Sequence, residues 1–290
     1  MAASKTVFGC VMAASTVSLS ATSASGCVAL AAPRAVSCVA AARTAAALGA
    51  WQRNASEAAH WAHPSWWAPA LDLPAAVISA PFDALREALA GAQADSLTAC
   101  SWALLHAVGA VRPKFDGLRA PDPAVLDALP MVDGLRALRM RALLWRRAEV
   151  RRLIDKQSRL RLAQWVGVPL ERLSAAPRQG TAHAPVAHVL ANETDVARLV
   201  ARGQVPALEA IDEEGLACEG YALIARNMHE AAQSAMPARE PRPCSLLRLA
   251  LPRDMPPWLG AGVLEFDGRG TALFLAHLPE LFPEWAWLFG

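Results

Sequence analysis

The feature that most constrains the fold is a short aromatic block in the first quarter of the chain. Four tryptophans and two histidines fall within residues 51–67. A buried indole removes a large area from water and needs a partner for its N–H group, so tryptophans at this density predict a fixed packing surface. Pro64 restricts the residue before it and cannot continue a helical ladder. We therefore predict a helix over residues 44–62, followed by a turn whose rings pack beneath it.

The composition favours closely packed helices. Apolar residues make up 54% of the 290 residues, and alanine supplies much of that share. Alanine is the best helix former and buries little area per side chain, which favours helices in close contact over a core of large side chains. We predict a mainly α fold with a body like a helical bundle.

The C-terminal part of the chain has a different pattern. Residues 245–251, 262–267 and 271–276 are predicted as short strands, with a hairpin turn at 267–268. An apolar end follows, and it must either dock on the rest of the protein or form a contact site. We expect it to dock within the chain. The fold prediction is completed by this small C-terminal β hairpin or sheet.

Proline clusters and a change of composition divide the chain into four predicted segments. These are an Ala/Ser-rich disordered leader (1–42), an N-terminal helical lobe (43–120), a second helical lobe with an arginine-rich helix (121–236), and a small β element with the apolar C-terminus (237–290).

The arginine-rich part of the second lobe has helical periodicity over residues 135–165 and contains no proline. An unbroken helix of this length would extend about 45 Å. Its charge is one-sided, since only Glu149 and Asp155 are acidic. The ten cations are Arg136, Arg139, Arg141, Arg146, Arg147, Arg151, Arg152, Lys156, Arg159 and Arg161.

Two interpretations of this charge remain open. A solvated helix face would need only weak pairing of the two acids with arginines one turn away. A binding surface for an acidic partner would use the same cations, because arginine forks pair bidentately with carboxylates and clustered charge speeds association. On the second interpretation we expect the partner contact at Arg146, Arg147, Arg151 and Arg152.

Nucleic acid is a further candidate for the same cations. The whole chain carries a net charge of only +2, so any basic effect has to be local. The aromatic interleaving of a base-stacking platform is missing, because Trp145 and Trp165 fall on the apolar side of the predicted helix. A helical nucleic-acid binder remains an alternative function, and nucleic acid is not an expected partner.

Enzyme motifs are missing from the sequence. It has no glycine-rich dinucleotide or phosphate loop, no GxSxG elbow, no HExxH and no CxxC. The six cysteines are widely scattered, as in a protein with reduced thiols. We predict no catalytic residue, no cofactor and no metal site.

The first residues allow a second alternative. An uncharged run from Thr6 to Pro33 contains the sequence Ala-Ser-Gly-Cys ending at Cys27, which is similar to a lipoprotein processing site. Many hydroxyl groups make the run too polar for a signal core or a membrane span. An exported lipoprotein therefore stays open as an alternative, and any membrane association is expected through a partner.

Two stretches carry a resemblance to a known family. The first is the aromatic block with its Trp-x-His-Pro-Ser-Trp core, here called the HPSW motif, and its residues are Arg53, Asn54, Trp61, His63, Pro64, Ser65 and Trp66, with Pro74 closing the stretch. The second is the arginine-rich run over residues 141–155. Together they resemble the SctK family of type III secretion proteins, the lineage of YscK and PscK, and in particular its Hrp-type branch.

The resemblance implies a function. SctK proteins are cytoplasmic, non-enzymatic accessory proteins of the sorting platform of the injectisome. The family implies an adaptor that links the pod protein SctQ to the inner-membrane ring protein SctD, in the platform that also holds SctL and the ATPase SctN. On this basis the HPSW motif residues are expected to determine the fold.

Overall fold

The computed structural model of the protein describes residues 33–70, 84, 87–114, 117–118, 122–174, 196, 199–200, 202–233, 243–260 and 270–289. These residues are mainly helical and include no strand. The prediction of a mainly α fold is confirmed. The α-helices are α1 (Pro33–Ser56), α2 (Ala58–Trp61), α3 (Trp67–Ala70), α4 (Ala94–Ala107), α5 (Met131–Trp145), α6 (Arg147–Arg152), α7 (Lys156–Val166), α8 (Leu170–Ser174), α9 (Glu213–Gln233), α10 (Ser245–Leu249), α11 (Gly270–Leu281) and α12 (Ala286–Phe289).

Short 3-10 helices connect several of these elements. They cover Pro64–Trp66, Pro123–Ala128, Leu208–Ala210, Pro257–Leu259 and Pro283–Trp285. Four of the five begin with proline, whose fixed φ suits the first helical position and whose missing N–H costs nothing there.

The aromatic block begins in α1, which starts at Pro33 and not near Arg43. The helix predicted over 44–62 is interrupted at Glu57, and α2 continues to Trp61. The chain then becomes extended at Ala62 and His63, as the following proline requires.

The centre of the fold is the packing of α5 against α9. Gly220 of α9 lies directly on the backbone of α5, since a Cβ atom there would stand 1.8 Å from the Leu138 carbonyl oxygen. Only glycine permits this approach. α11 packs against both helices, while α1 and α2 pack on α4.

The prediction of one unbroken helix over residues 135–165 is wrong, because α5, α6 and α7 cover this stretch. Arg146 leaves the helical conformation at ψ 18°, and Leu153 is extended at ψ 110°. Asp155 then starts α7 as its N-cap, with its carboxylate accepting hydrogen bonds from the N–H groups of Gln157 and Ser158. Gly167, at φ 72°, ends α7 in the left-handed conformation.

The predicted C-terminal β element is also not what the structure shows. Residues 245–249 form α10 and residues 271–276 lie in α11. The predicted middle strand and turn, residues 262–268, lie outside the described residues. The physical reason at α10 is the Asp127 carboxylate, which accepts hydrogen bonds from two N–H groups of its first turn.

The C-terminal end docks on the rest of the protein. Leu281, Phe282, Leu288 and Phe289 are buried, and the Trp285 indole donates a hydrogen bond to Asp133 of α5 at 3.1 Å. A single buried cluster contains side chains from the N-terminal, middle and C-terminal predicted segments.

Within the part of the chain that the structure describes, no helix has the length and apolar character of a membrane span. Cys27, on which the lipoprotein alternative depends, lies outside the described residues.

Candidate partner-binding surface

The HPSW motif holds residues 249–253 against the N-terminal helices through three hydrogen bonds, which we call the clip. The His63 N–H donates to the Leu249 carbonyl at 2.7 Å, and the Trp66 indole donates to the Leu251 carbonyl at 2.9 Å. The Ser65 hydroxyl accepts a hydrogen bond from the Arg253 N–H at 2.8 Å. Three polar groups of this turn therefore bind backbone groups of residues 249–253.

The side chains of the motif support this clip. His63 Nδ1 accepts from the Ser65 N–H and so caps the Pro64–Trp66 helix. The Arg248 guanidinium stacks over the Trp66 ring, with its central carbon 4.9 Å from the ring centroid. A cation over an indole face is an attractive arrangement.

The motif residues that precede the turn lie at the end of α1 and in α2, and one of them links α1 to residues 127–129. The Asn54 amide donates to the carbonyls of Asp127 and Leu129, at 2.8 and 2.6 Å. The Trp61 indole donates to the Asn54 carbonyl at 3.3 Å. Arg53 is exposed on the surface of α1.

Asp127 is a buried carboxyl that holds α10. Its two oxygens accept from the N–H groups of Leu246 and Leu247, at 3.1 and 2.9 Å. Burial raises the pKa of the carboxyl to about 7, against the opposing effect of the hydrogen bonds from Leu247 and Leu246. These hydrogen bonds to Asp127 favour a helix at α10, although the apolar pattern of residues 245–251 predicted a strand.

Arg146, one of four arginines predicted to contact a partner, lies inside the protein with no exposed surface. Its guanidinium forms a fork with the carboxylate of Glu219, through contacts of 2.6 and 2.9 Å. It also donates to Glu149 at 2.6 Å and to the Pro206 carbonyl at 3.0 Å. Burial raises the pKa of Glu219 to about 6, although Arg146 opposes the shift. This arginine ties α9 to the end of α5.

Other cations of the arginine-rich stretch also have internal contacts. Arg141 is buried and donates to Thr271 at 3.2 Å. Arg139 pairs with Glu213 at 2.8 Å and donates to the Trp165 carbonyl at the end of α7. Arg136 pairs with Asp133 at 2.9 Å. These arginines make contacts within the protein. From the sequence alone they could not be distinguished from arginines on a solvated helix face.

The exposed cations are found further along the chain. Arg151 and Arg152 at the end of α6 are exposed, as is Lys156 at the start of α7, and we call these three residues the cationic face. Arg161 is exposed too, but its guanidinium stacks over the Trp165 ring, with its central carbon 5.2 Å from the ring centroid. Arg147, the remaining predicted contact, is half-buried. Of the predicted contact residues, the structure therefore presents Arg151 and Arg152 most openly.

The described acids near the cationic face have local partners, and Glu149, which also feels the charge of Arg152, pairs with Arg146. Asp155 caps α7, and its hydrogen bonds with Ser158 and Gln157 lower the pKa of its carboxyl. Glu171 pairs with Arg159, although it remains 70% exposed. The exposed cations of this region therefore lie beside acids that already have hydrogen-bond or ion-pair partners.

An apolar groove lies beside the cationic face. It has a volume of about 610 Å³ and runs between α7 and α8. Two large apolar side chains in its lining face water, since Ile154 is 95% exposed and Leu160 is 55% exposed. No motif in the sequence marks this groove. The available signal was Leu160 on a helix face between cations, and Ile154 next to the helix break.

The surface is suited to binding a partner, and its described side chains form no recognisable catalytic arrangement. The structure contains no group of three or more metal-ligating side chains among its described residues. Exposed guanidinium groups beside an apolar groove can bind carboxylates and apolar side chains of another protein.

Comparison with known proteins gives one family. The family model described as "Bacterial type III secretion protein (HrpB4)" matches residues 38–284. No curated protein matches the chain, and no solved structure matches it. The matched range includes the HPSW motif, the cationic face and the groove.

Proposed function

The chain belongs to the HrpB4 family of bacterial type III secretion proteins, and we propose that it acts as a non-enzymatic adaptor of the secretion sorting platform. The expected resemblance to a Hrp-type type III secretion protein is confirmed at the level of this family. The family supports a role in type III secretion and partners within the secretion apparatus.

The adaptor role is the finer part of the proposal. The protein links the pod protein SctQ to the inner-membrane ring protein SctD on the cytoplasmic face, near SctL and SctN, and it meets the membrane only through such partners. The observation that carries the proposal is the cationic face on a member of a secretion family. Clustered, exposed arginines favour fast association with an acidic protein surface.

The contact residues in this proposal are Arg151 and Arg152, with Arg147 beside them. Arg146 supports the contact indirectly, since its ion pairs hold α6 against α9. This division changes the design of the experiment, because reversing the charge of Arg146 would disturb the interior and not only the surface.

The test is co-purification of the full chain with the pod protein and, separately, the ring protein from the same gene cluster. The Arg151→Glu/Arg152→Glu variant is expected to lose its complex, because the like charges would oppose an acidic partner. The matched control reverses two exposed arginines elsewhere, Arg202→Glu/Arg253→Glu, and should retain the complex.

Circular dichroism of both variants checks that the helices remain intact. Absence of any complex with the unaltered chain would contradict the adaptor role. Salt-sensitive binding of random duplex DNA, lost in the Arg151/Arg152 variant, would instead support the nucleic-acid alternative.

A further inference from the structure

The groove beside the cationic face follows one side of α7, where one cation is followed by small and apolar positions. Lys156, Leu160, Ala163 and Gly167 line it at helical spacing, which spans about 16 Å, or three turns. Ala163 carries only a methyl group, whereas at Gly167 the Arg136 side chain already lies close, 3.2 Å from the position of a Cβ atom. At the other end Ile154 stands almost wholly in water.

We propose that this groove receives an amphipathic helix from a protein partner. The apolar side chains of that helix would cover Ile154 and Leu160, and its Asp and Glu side chains would face Arg152 and Lys156. The inference deepens the proposed function and rests on it for the setting in which such a partner is met. A groove of three turns matches the i, i+3, i+4 and i+7 anchors by which helices are held in grooves.

The charges beside the groove indicate that its partner is acidic. Arg152 lies two residues before Ile154, Lys156 lies two residues after it, and both are exposed. Asp155 between them is engaged as the cap of α7. Arg159 and Glu171, which also line the groove, pair with each other, so the remaining cations Arg152 and Lys156 favour an occupant with carboxylates around its apolar face over a basic one.

The same charge argues against two other occupants. A second copy of the chain related by two-fold symmetry would bring one cationic face against another. Residues 175–195, which follow α8, contain only Glu193 and Asp195 as acids, and both lie at the far end of that segment. Neither offers carboxylates that surround an apolar face.

The experiment uses the full chain and a fluorescent 18-residue helical peptide with leucines on one face and glutamates on the others. A second peptide keeps the leucines and replaces each glutamate by lysine. Fluorescence anisotropy should show the acidic peptide binding at least tenfold more tightly than the basic one. Equal binding of the two peptides, or no binding of the acidic peptide at 1 mM (roughly the weakest affinity worth calling a site), would overturn the proposal.

Variants place the binding in the groove. Ile154→Ser/Leu160→Ser should weaken binding of the acidic peptide by about tenfold to a hundredfold, since each buried side chain of this size contributes strongly to affinity. Val132→Ser is the matched control, because Val132 is 61% exposed and is not one of the residues that line the groove. Its affinity should stay within about twofold. An equal loss in both variants, or no loss in the first, would overturn the proposal.

A photo-crosslinking residue at position 160 separates the other occupants. Crosslinks to the added acidic peptide support the proposal. Crosslinks to residues 175–195 that persist when the peptide is added would assign the groove to the chain itself, and crosslinks between two copies would assign it to a dimer. Either result would overturn it.

The outcomes for the groove and for the adaptor role are distinguishable. If the pod protein co-purifies and the Ile154→Ser/Leu160→Ser variant behaves as the unaltered chain in both assays, the groove proposal fails and the adaptor role stands. If the acidic peptide binds in the groove and neither platform protein co-purifies, the groove stands and the adaptor role fails.

Discussion

Four hydrogen bonds hold the guanidinium of Arg146 between Glu219, Glu149 and the Pro206 carbonyl. An ion pair with no exposed surface is costly to form, but it is more costly to break, because the remaining charge stays buried without compensation. The position therefore matters for stability.

Arg146→Ala should lower the free energy of unfolding by about 3–5 kcal/mol, because the Glu219 carboxylate loses its fork of donors. Arg152→Ala, at the exposed end of the same stretch, should change it by no more than about 0.5 kcal/mol. Urea unfolding followed by circular dichroism measures both. The apolar pair Arg146→Met/Glu219→Leu should recover much of the loss, and similar stabilities of Arg146→Ala and Arg152→Ala would contradict the internal role.

Asp127 gives the protein a pH-dependent contribution to stability. Its pKa is raised from 3.8 to about 7 on folding, so the folded state binds the proton more tightly than the unfolded state does. The contribution is fully present below about pH 4 and is lost as pH rises through about 7. The contribution of Asp127 to the free energy of unfolding should therefore fall as pH rises, by about 1 kcal/mol per pH unit between about pH 5 and pH 7.

Asp127→Asn should remove this component of the slope, since the amide does not titrate. Asp155→Asn is the control, because the Asp155 pKa is lowered and its contribution to stability changes only at more acidic pH. Urea unfolding at pH 5, 6 and 7 compares the three proteins. Glu219 and Glu149 titrate in all of them, so equal slopes for the unaltered chain and Asp127→Asn would refute the assignment to Asp127.

At the scale of elements, the contact between α5 and α9 depends on the lack of a side chain at Gly220. Gly220→Ala would place a methyl group 1.8 Å from the Leu138 carbonyl oxygen and 2.6 Å from its carbon. Both neighbouring atoms belong to the backbone, so the two helices would have to separate. The free energy of unfolding should fall by about 3 kcal/mol, at the upper end of overpacking costs.

Gly49→Ala in α1 is the matched control for this substitution. Its added methyl group would contact only the end of the Arg53 side chain, at 3.7 Å, so the higher helix propensity of alanine should stabilise by up to about 1 kcal/mol. Thermal unfolding measures the two variants. Equal effects would show that the close approach at Gly220 is unimportant.

Element by element, local signals in the sequence account for part of the structure. Pro64 and Gly167 end helices where their backbone preferences require it. The break at Arg146 has no local signal, because neither proline nor glycine stands there, and the contact that accompanies it is with Glu219, 73 residues away. The apolar residues of α10 form too short a run to distinguish a helix from a strand. The group that favours the helix is the distant Asp127 carboxyl, which accepts a hydrogen bond from its first turn.

For the candidate site, the sequence predicted a cationic surface but could not sort its members. Arg146 and Arg152 have the same chemistry and neighbouring positions, yet one is buried and the other is exposed. Burial depends on where α9 crosses the stretch, and that is a property of the tertiary fold. The groove depends in the same way on how α8 lies beside α7.

At the scale of the whole molecule, one buried cluster joins α1, α5, α9 and α11. A single continuous core predicts a single cooperative unfolding transition. Tryptophan fluorescence and far-ultraviolet circular dichroism should therefore report the same midpoint on heating. Two separated transitions would mean that the helical lobes unfold independently.

The clip between the HPSW motif and residues 249–253 bears on how the protein is made. Trp66 donates to a carbonyl 185 residues further along the chain, so this contact cannot form until most of the polypeptide has left the ribosome. During synthesis Trp51 can pack early against Trp102, but Trp66 lacks its final hydrogen-bond partner until residue 251 has been made. Contacts of such long sequence separation slow folding and prolong the exposure of apolar surface, so protection of the nascent chain against aggregation matters most before residues 249–253 emerge.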